Sequence, residues 1–201
     1  MAIKIIQKNF LNLVSPDVNL RKLATGFEWA EGPVWIPKDN CLLWSDIPNN
    51  RMMRWSEQNG VSEFRKPSNH ANGNTIDLEG RLVTCEHSAH RVSRTELDGN
   101  VITLVDNYLG KKMNSPNDIV IKSDGSIWFT DPPYGILSNH EGYQRESEIG
   151  HNYVYRFNPD SGILQVVADD FDRPNGIAFS PDERNLYISD TGEPSHIRVF
   201  N

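Results

Sequence analysis

The sequence predicts an all-β protein built from four copies of one strand-rich unit, and three observations lead to this fold class. Short runs rich in Val, Ile, Trp, Phe and Tyr recur along the 201 residues and partly alternate with polar positions. Turn-forming stretches such as Pro-Lys-Asp-Asn and Ser-Asp-Gly separate these runs. The same succession of anchor residue, acidic residue and arginine returns along the chain, which indicates a repeat architecture.

The four repeats begin at polar anchor residues and carry an acidic residue 14 or 15 positions later. The anchors are Glu31, Asn72, Asn117 and Asn175, and the acids are Asp46, Glu86, Asp131 and Asp190. An arginine follows the acid by 8 positions in three repeats, at Arg54, Arg94 and Arg198, but by 25 in the third. We therefore predict an inserted loop at about 135–151 and acid–arginine pairs within the other three repeats.

A four-stranded antiparallel unit with a period of about 40–45 residues is typical of a β-propeller blade. A β-sandwich would explain the strands but not the recurring anchors. The predicted blades cover about 27–70, 71–114, 115–173 and 174–201 of one domain: three complete blades, a partial fourth, and a closing outer strand near 21–27. A six-bladed ring needs about 250–300 residues, so we expect a chain that is truncated, clipped, or completed by another chain or copy.

Composition excludes several other classes of protein. The net charge of -7 argues against tracking of nucleic-acid phosphates. No apolar run approaches the ~18 residues of a membrane span, and the start of the chain has no clear signal peptide. Cys41 and Cys85 make no disulfide framework and suit a reducing compartment. We expect a cytoplasmic protein with no nucleic-acid or membrane partner.

The anchors predict a shared site at one mouth of the propeller channel. They precede the innermost strand of each blade, so their side chains converge there. One carboxylate and three amide oxygens suit a hard cation such as Ca²⁺, whereas Zn²⁺ prefers imidazole or thiolate ligands. Each anchor taken alone is equally explained as an ordinary turn former.

Other polar residues are candidates for substrate contact. Asn72 and Asn74 border the channel in blade two, where they contact substrate or merely cap a turn. Asp131 and Tyr134 stand where a rim loop begins after the second strand of blade three. The inserted loop, with His140, Tyr143 and His151, either covers the mouth as a lid or is a disordered excursion. We expect His87 and His90 to be surface or internally satisfied histidines.

Five stretches carry a family resemblance: FEWAEGPVW (27–35), LLWSDI (42–47), NGNTIDLEGRLVTCEH (72–87), SPNDIVIKSDGSIWFTDPPYG (115–135) and RPNGIAFSPDERNLYISDTG (173–192). Together they resemble the six-bladed propellers of the senescence-marker-protein (regucalcin), gluconolactonase and luciferin-regenerating-enzyme family. The TCEH and FTDPPYG pieces look most like its microbial gluconolactonase branch. The resemblance implies metal-dependent hydrolysis of a sugar lactone, in which the metal polarises the lactone carbonyl and activates water.

The resemblance also implies roles for individual residues. Glu31, Asn117 and Asn175 match the family's metal ligands, and Asn117 also faces substrate; Ca²⁺ is expected, with Mg²⁺, Mn²⁺ or Zn²⁺ as alternatives. The family's fourth ligand, an aspartate of blade five that often transfers protons, is absent from this sequence, so the catalytic residue stays unknown. Ser115 stands where the animal branch has a substrate-binding arginine. A non-catalytic metal-binding propeller, an inactive fragment and a strictosidine-synthase-type enzyme are the alternatives.

Overall fold

The computed structural model of the chain describes residues 3–15 and 17–201. It confirms the all-β prediction: four antiparallel sheets are arranged as propeller blades, three of them with four strands and the last with three. Within every blade each strand pairs with the next one along the chain. The first strand of each blade packs beside the first strand of the next blade.

The strands of each blade are short. Blade one comprises β1 (Glu31–Ile36), β2 (Cys41–Asp46), β3 (Arg51–Ser56) and β4 (Gly60–Arg65). Blade two comprises β5 (Ala71–Ile76), β6 (Leu82–Glu86), β7 (Arg91–Thr95) and β8 (Val101–Val105). Blade three comprises β11 (Ile119–Ile121), β12 (Ile127–Thr130), β13 (Val154–Asn158) and β14 (Ile163–Ala168). Blade four comprises β15 (Pro174–Phe179), β16 (Leu186–Asp190) and β17 (His196–Phe200).

The remaining elements are small. A two-stranded ribbon of β9 (Asn107–Tyr108) and β10 (Lys111–Lys112) lies between blades two and three. One helical turn, α1 (Tyr134–Leu137), begins the inserted loop, and 3-10 turns occur at Lys8–Asn12 and Pro37–Asp39. Among the described residues there is no helix of the length and apolarity that a membrane crossing requires.

The hydrophobic core lies between the faces of adjacent blades. Met52 and Ala71 are fully buried where blades one and two meet. Phe129 of blade three packs with Val92 of blade two, and Val154 packs with Ile188 between blades three and four. Burying such side chains contributes roughly 1.5–3 kcal/mol each. Apolar packing against the adjacent blades therefore stabilises each blade.

The segment at 21–27, predicted as a closing outer strand, forms no strand. A strand needs ladder hydrogen bonds to a neighbouring strand, and this segment makes none within the described residues. It lies instead against the face of blade one that points away from blade two. There the rings of Phe27 and Trp44 meet edge to face, with centroids 5.1 Å apart. Its apolar residues thus contribute packing rather than a fourth-strand ladder.

Glycines allow the first strands to approach closely at the channel. A Cβ atom on Gly32, whose φ is +52°, would lie 2.0 Å from the Asn72 carbonyl oxygen. One on Gly73 would lie 2.5 Å from the Asn117 carbonyl oxygen. The main chains of neighbouring blades are therefore in contact directly beside the anchor residues.

We predict that Gly32→Ala destabilises the fold by about 3 kcal/mol, because it adds a main-chain clash to the strain of a positive φ. Gly99→Ala is the matched control, since Gly99 also has a positive φ (+87°) but its Cβ would meet nothing within 4 Å. That control should cost only about 1 kcal/mol. Urea unfolding of the two variants measures both values, and equal losses would contradict the close approach.

Candidate functional site

The four anchors line one open cavity of about 190 Å³. Its wall is formed by Trp29, Glu31, Ile47, Asn72, Asn117, Tyr134, Glu141 and Asn175. A larger cleft of about 310 Å³ lies between blades three and four, among side chains such as Trp128 and Phe200, and none of the anchors lines it. The convergence of polar groups therefore marks the smaller cavity as the candidate site.

Strand bulges aim three of the anchors into the cavity. The pairing register shifts between Glu31 and Val34 in β1, between Ala71 and Asn74 in β5, and between Pro174 and Ile177 in β15. A bulge bends its strand and redirects a side chain, and it is common beside binding sites. In blade three the strand begins later, and the Asn117 N–H donates to the Thr130 carbonyl at 2.8 Å.

Hydrogen bonds from the neighbouring blade hold the anchor main chains. The Ser45 hydroxyl donates to the Asn72 carbonyl at 2.7 Å, and the Thr130 hydroxyl donates to the Asn175 carbonyl at 2.7 Å. The Gly73 N–H donates to the Asn117 carbonyl, also at 2.7 Å. These bonds fix the backbone of each asparagine, so that its side chain is presented to the cavity by a rigid support.

Three carboxyl groups at or near the cavity have raised pKa values. Desolvation raises the pKa of Glu31, and the nearby charge of Asp118 raises it further. Burial raises the pKa of Asp118 although its Oδ2 accepts the Ile177 N–H at 3.0 Å. Desolvation and the charge of Glu31 raise the pKa of Glu141. His140 opposes the shift at Glu141, but desolvation and the repulsion between carboxyl groups outweigh it.

The inserted loop contributes Glu141, which the sequence interpretation did not single out. The loop lies over the cavity, where His140 Nε2 is 2.7 Å from the Glu28 carboxylate and its ring meets Trp29 edge to face. Tyr143 packs edge to face on His70. The sequence signal for this contact was a loop of extra length that is polar and rich in Glu, His, Ser and Gly. Which residue of the loop faces the cavity depends on how the loop is seated.

Asn74 and Asp131, two of the predicted substrate contacts, lie outside the cavity wall. The Asn74 amide donates to Ser45 Oγ at 2.9 Å, and its Oδ1 accepts the Thr84 hydroxyl at 2.9 Å. The Asp131 oxygens accept the N–H groups of Asn114 and Ser115 at 2.9 and 2.8 Å, and burial raises the pKa of Asp131 to about 7. Contacts inside the protein therefore occupy both side chains, whereas Tyr134 does line the cavity.

Three of the four repeated acids share one structural contact, which differs from the predicted arginine pair. Each acid ends or directly follows the second strand of its blade, and those of blades one and four accept main-chain N–H groups of the segment before the first strand, as Asp131 does. Asp46 pairs with Arg51 at 2.8 Å and Glu86 pairs with Arg91 at 2.8 Å, the residues directly opposite them on the third strand. The predicted pairing with the later arginines is wrong, since those residues lie farther along the third strand.

His87 and His90 are internally satisfied, as expected, and both are buried. His87 Nδ1 is 3.0 Å from the Glu141 carbonyl, and His90 Nδ1 is 2.7 Å from the Asn114 carbonyl. Burial lowers the pKa of His87 to about 4. His151, at the end of the loop, stacks on Tyr153 and does not line the cavity.

The donor set fits a hard divalent cation. The cavity offers two carboxylates, of Glu31 and Glu141, and three amides, which are oxygen ligands of the kind Ca²⁺ and Mg²⁺ accept. In residues 3–15 and 17–201 no three His, Cys, Asp or Glu side chains are close enough to hold a metal ion together. Any cation here would therefore depend on amide oxygens beside Glu31.

The protein is therefore a β-propeller with a site at the mouth of its channel that is lined by carboxylate and amide oxygens. The chain belongs to the SMP-30/Gluconolactonase/LRE-like family, whose profile matches residues 29–200. It is similar to a gluconolactonase of Zymomonas mobilis subsp. mobilis, with 37% identity over 187 residues, 86% of this chain and 52% of the relative. The resemblance noted in the sequence is thereby confirmed.

Two further comparisons agree. The structure of a gluconolactonase from Xanthomonas campestris superimposes with a TM-score of 0.83 and 42% identity, over 87% of this chain and 58% of that one. Lactonohydrolase oryL of Aspergillus oryzae is 38% identical over 101 residues, 50% of this chain and 22% of the relative. The chain therefore spans about half the length of the curated Zymomonas relative and less than a quarter of oryL.

Two buried groups should make opposite contributions to stability in acid. Folding lowers the pKa of His87 from 6.5 to about 4. As the pH falls from 6.5 to 4, the imidazole therefore gains a proton in the unfolded chain before it does in the folded chain, and stability decreases. The pKa of Asp131 rises from 3.8 to about 7, so the folded chain holds a proton that the unfolded chain lacks, and stability falls as pH rises from 3.8 to 7.

We predict that acidification from pH 7 to pH 5 destabilises Asp131→Asn by about 2 kcal/mol relative to the unmodified chain, because of these two opposing contributions only that of His87 remains. The same change should stabilise His87→Asn by about 2 kcal/mol, while the unmodified chain changes less than either variant. Urea unfolding at the two pH values measures this. Parallel pH dependence of the two variants would contradict these pKa shifts.

Proposed function

We propose that the cavity binds a small sugar lactone together with one divalent cation, and that the protein hydrolyses the lactone ring. The observation that carries the proposal is the convergence of Glu31, Asn72, Asn117 and Asn175 on one cavity. Three of these side chains are amides, which can both accept and donate hydrogen bonds to a polyhydroxylated ring. The names of the similar proteins, gluconolactonase and lactonohydrolase, support the same reaction.

Glu31, Asn117 and Asn175 would hold the cation, with Ca²⁺ the first choice and Mg²⁺, Mn²⁺ or Zn²⁺ as alternatives. Their oxygen donors and the raised pKa of Glu31 support this assignment, because a cation would offset the repulsion between Glu31 and Asp118. When bound, a divalent cation supplies a Lewis acid for an ester carbonyl and lowers the pKa of a water molecule.

The other residues of the cavity wall would orient the lactone. The side chain of Trp29 offers an apolar surface to the carbon face of the ring. Glu141 can accept hydrogen bonds from ring hydroxyl groups. The Tyr134 hydroxyl, 2.7 Å from Thr191 Oγ1, has capacity for one more hydrogen bond. These contacts would hold the ester carbonyl beside the anchors and cover it with the loop.

Hydrolysis would proceed without a serine nucleophile from the wall of the site. The Ser45 hydroxyl donates to the Asn72 carbonyl, and the Ser115 hydroxyl donates to the Pro132 carbonyl at 2.6 Å. Buried histidines lie nearby, but His87 Nδ1 faces a carbonyl and not a hydroxyl group. A serine nucleophile requires a base within hydrogen-bond reach, so direct attack of water on the ester fits this site better.

We also propose a cytoplasmic location and a further blade as the packing partner of blade four. Cys41 and Cys85 are both buried and unpaired, which suits a reducing compartment. Tyr187, Ile197 and Val199 expose 39%, 68% and 54% of their surface on blade four, where another blade of the same or a second chain would cover them.

We predict that Glu31→Gln weakens Ca²⁺ binding by about 100-fold, since it removes the only anionic anchor. Glu63→Gln is the control, because Glu63 lies exposed on the outer strand β4. Calorimetric titration measures binding, and titration of released acid during hydrolysis of gluconolactone, with and without chelator, measures activity. The unmodified chain and Glu63→Gln should bind and hydrolyse alike.

Three results would count against this proposal in different ways. Equal Ca²⁺ binding by both variants would remove Glu31 from the cation site. Hydrolysis that a chelator leaves unchanged would remove the cation from the reaction. Cation binding without hydrolysis at any metal concentration would favour a non-catalytic metal-binding propeller.

A further inference from the structure

His87 links the inserted loop to the cavity wall. It follows strand β6 and its side chain is fully buried, with 0% of its surface exposed. Its Nδ1 lies 3.0 Å from the main-chain carbonyl oxygen of Glu141. Its Nε2 lies 3.3 Å from the side-chain nitrogen of Asn72. One ring therefore contacts both the loop and an anchor.

The two contacts define the tautomer of the ring and the orientation of the amide. A carbonyl oxygen only accepts, so Nδ1 must carry the proton that it donates to Glu141. In the neutral ring Nε2 then has a lone pair, and the atom of Asn72 that faces it must be the N–H₂ donor. The Asn72 oxygen is consequently turned away from the histidine, and no other group of the described residues hydrogen-bonds to it.

The loop is seated on His87 by close packing. A Cβ atom on Gly135 would lie 2.5 Å from the His87 Cβ, and one on Gly142 would lie 2.1 Å from the Gly135 carbonyl oxygen. The Gly135 N–H donates to the Ser115 hydroxyl at 2.9 Å. Small residues at both positions thus place the Glu141 carbonyl over the ring.

We propose that His87 is a positioning residue that converts the seating of the 135–151 loop into a fixed orientation of the Asn72 amide. With the loop seated, the Asn72 oxygen faces the cavity as a hydrogen-bond acceptor for a substrate hydroxyl. With the loop displaced, the ring loses its acceptor at Nδ1, either tautomer becomes accessible, and the amide can turn over. The role in substrate contact rests on the proposed function, whereas the orientation itself does not.

A fixed orientation of the Asn72 oxygen should affect which lactones the site prefers. An acceptor oxygen fixed toward the cavity is left without a partner by a bound substrate that lacks the matching hydroxyl group, and such sites discriminate strongly. His87 should therefore favour a polyhydroxylated lactone over an unsubstituted ring of the same size. Loss of the orientation should reduce this preference more than it reduces hydrolysis of the unsubstituted ring.

The two halves of the contact can be separated by substitution. His87→Asn retains a donor near the Nδ1 position but has no group at the Nε2 position, so it should keep the loop and release Asn72. His87→Gln retains a group near the Nε2 position and should keep an acceptor for Asn72. The control is His90→Gln, because His90 makes the same kind of contact, to the Asn114 carbonyl, but lines no part of the cavity.

The first test needs no activity. In the 201-residue chain with ¹⁵N-labelled histidine, NMR should show one neutral His87 ring protonated at Nδ1. Gly142→Ala, which displaces the loop, should convert that signal to a mixture of tautomers. A ring protonated at Nε2 in the unmodified chain, or a signal that Gly142→Ala leaves unchanged, would overturn the proposal whether or not the chain hydrolyses lactones.

The second test compares gluconolactone with δ-valerolactone. His87→Asn should lower kcat/KM for gluconolactone by about tenfold, mainly through KM, and change δ-valerolactone hydrolysis by less than about twofold. His87→Gln should recover most of the loss, and His90→Gln should show none. In a double-mutant cycle the losses of His87→Asn and Asn72→Ala should not multiply. Equal losses on both lactones, or multiplicative losses, would show that His87 only supports the fold.

Discussion

The architecture of the site depends on the close approach of main chains where the first strands of neighbouring blades begin. Gly32 leaves room for the Asn72 carbonyl and Gly73 leaves room for the Asn117 carbonyl. Because each strand lies directly against the next, the anchors that precede or begin these strands fall on one cavity. A larger residue at either glycine would move a blade and thereby an anchor, so the spacing of the backbone determines the spacing of the functional groups.

Blade three departs from the glycine pattern in a way that strengthens the same junction. Asp118 stands where the three other blades have Gly32, Gly73 and Gly176. Its Oδ2 accepts the Ile177 N–H of blade four at 3.0 Å, and its main chain pairs with Thr130. A side-chain hydrogen bond thus accompanies close packing at this junction. The result is a buried carboxyl group next to Glu31, which contributes to the negative charge of the cavity.

The fold could be predicted because residues of the same type recur at equivalent positions of the blades and make similar contacts there. Acids at 14 or 15 positions after the anchors accept main-chain N–H groups before the first strand in at least three blades, so their spacing reflects blade geometry. Their arginine partners could not be predicted from spacing, since cross-strand register places Arg51 and Arg91 opposite the acids and the later arginines elsewhere. Register depends on the turn between strands, which periodicity does not reveal.

The anchors could also be predicted, whereas Glu141 and His87 could not. Glu141 reaches the cavity only because Gly135 and Gly142 allow the loop to fold back on blade two. Nothing in the sequence distinguishes His87 from an ordinary buried histidine. Its ring contacts Asn72 on one side and, on the other, the carbonyl of Glu141, which lies 54 positions away in the chain. Tertiary contacts of this kind leave no periodic signal.

The loop and the anchors are coupled through charge as well as through His87. Seating the loop places the Glu141 carboxylate near Glu31, and the charge of Glu31 is one of the causes that raise the pKa of Glu141, so this proximity has a free-energy cost. A positive charge held by Glu31 would lower both pKa values and remove part of that cost. By reciprocity, a seated loop would then strengthen the binding of that charge as much as the charge stabilises the loop. A closed loop and an occupied anion-rich cavity are therefore states that favour each other.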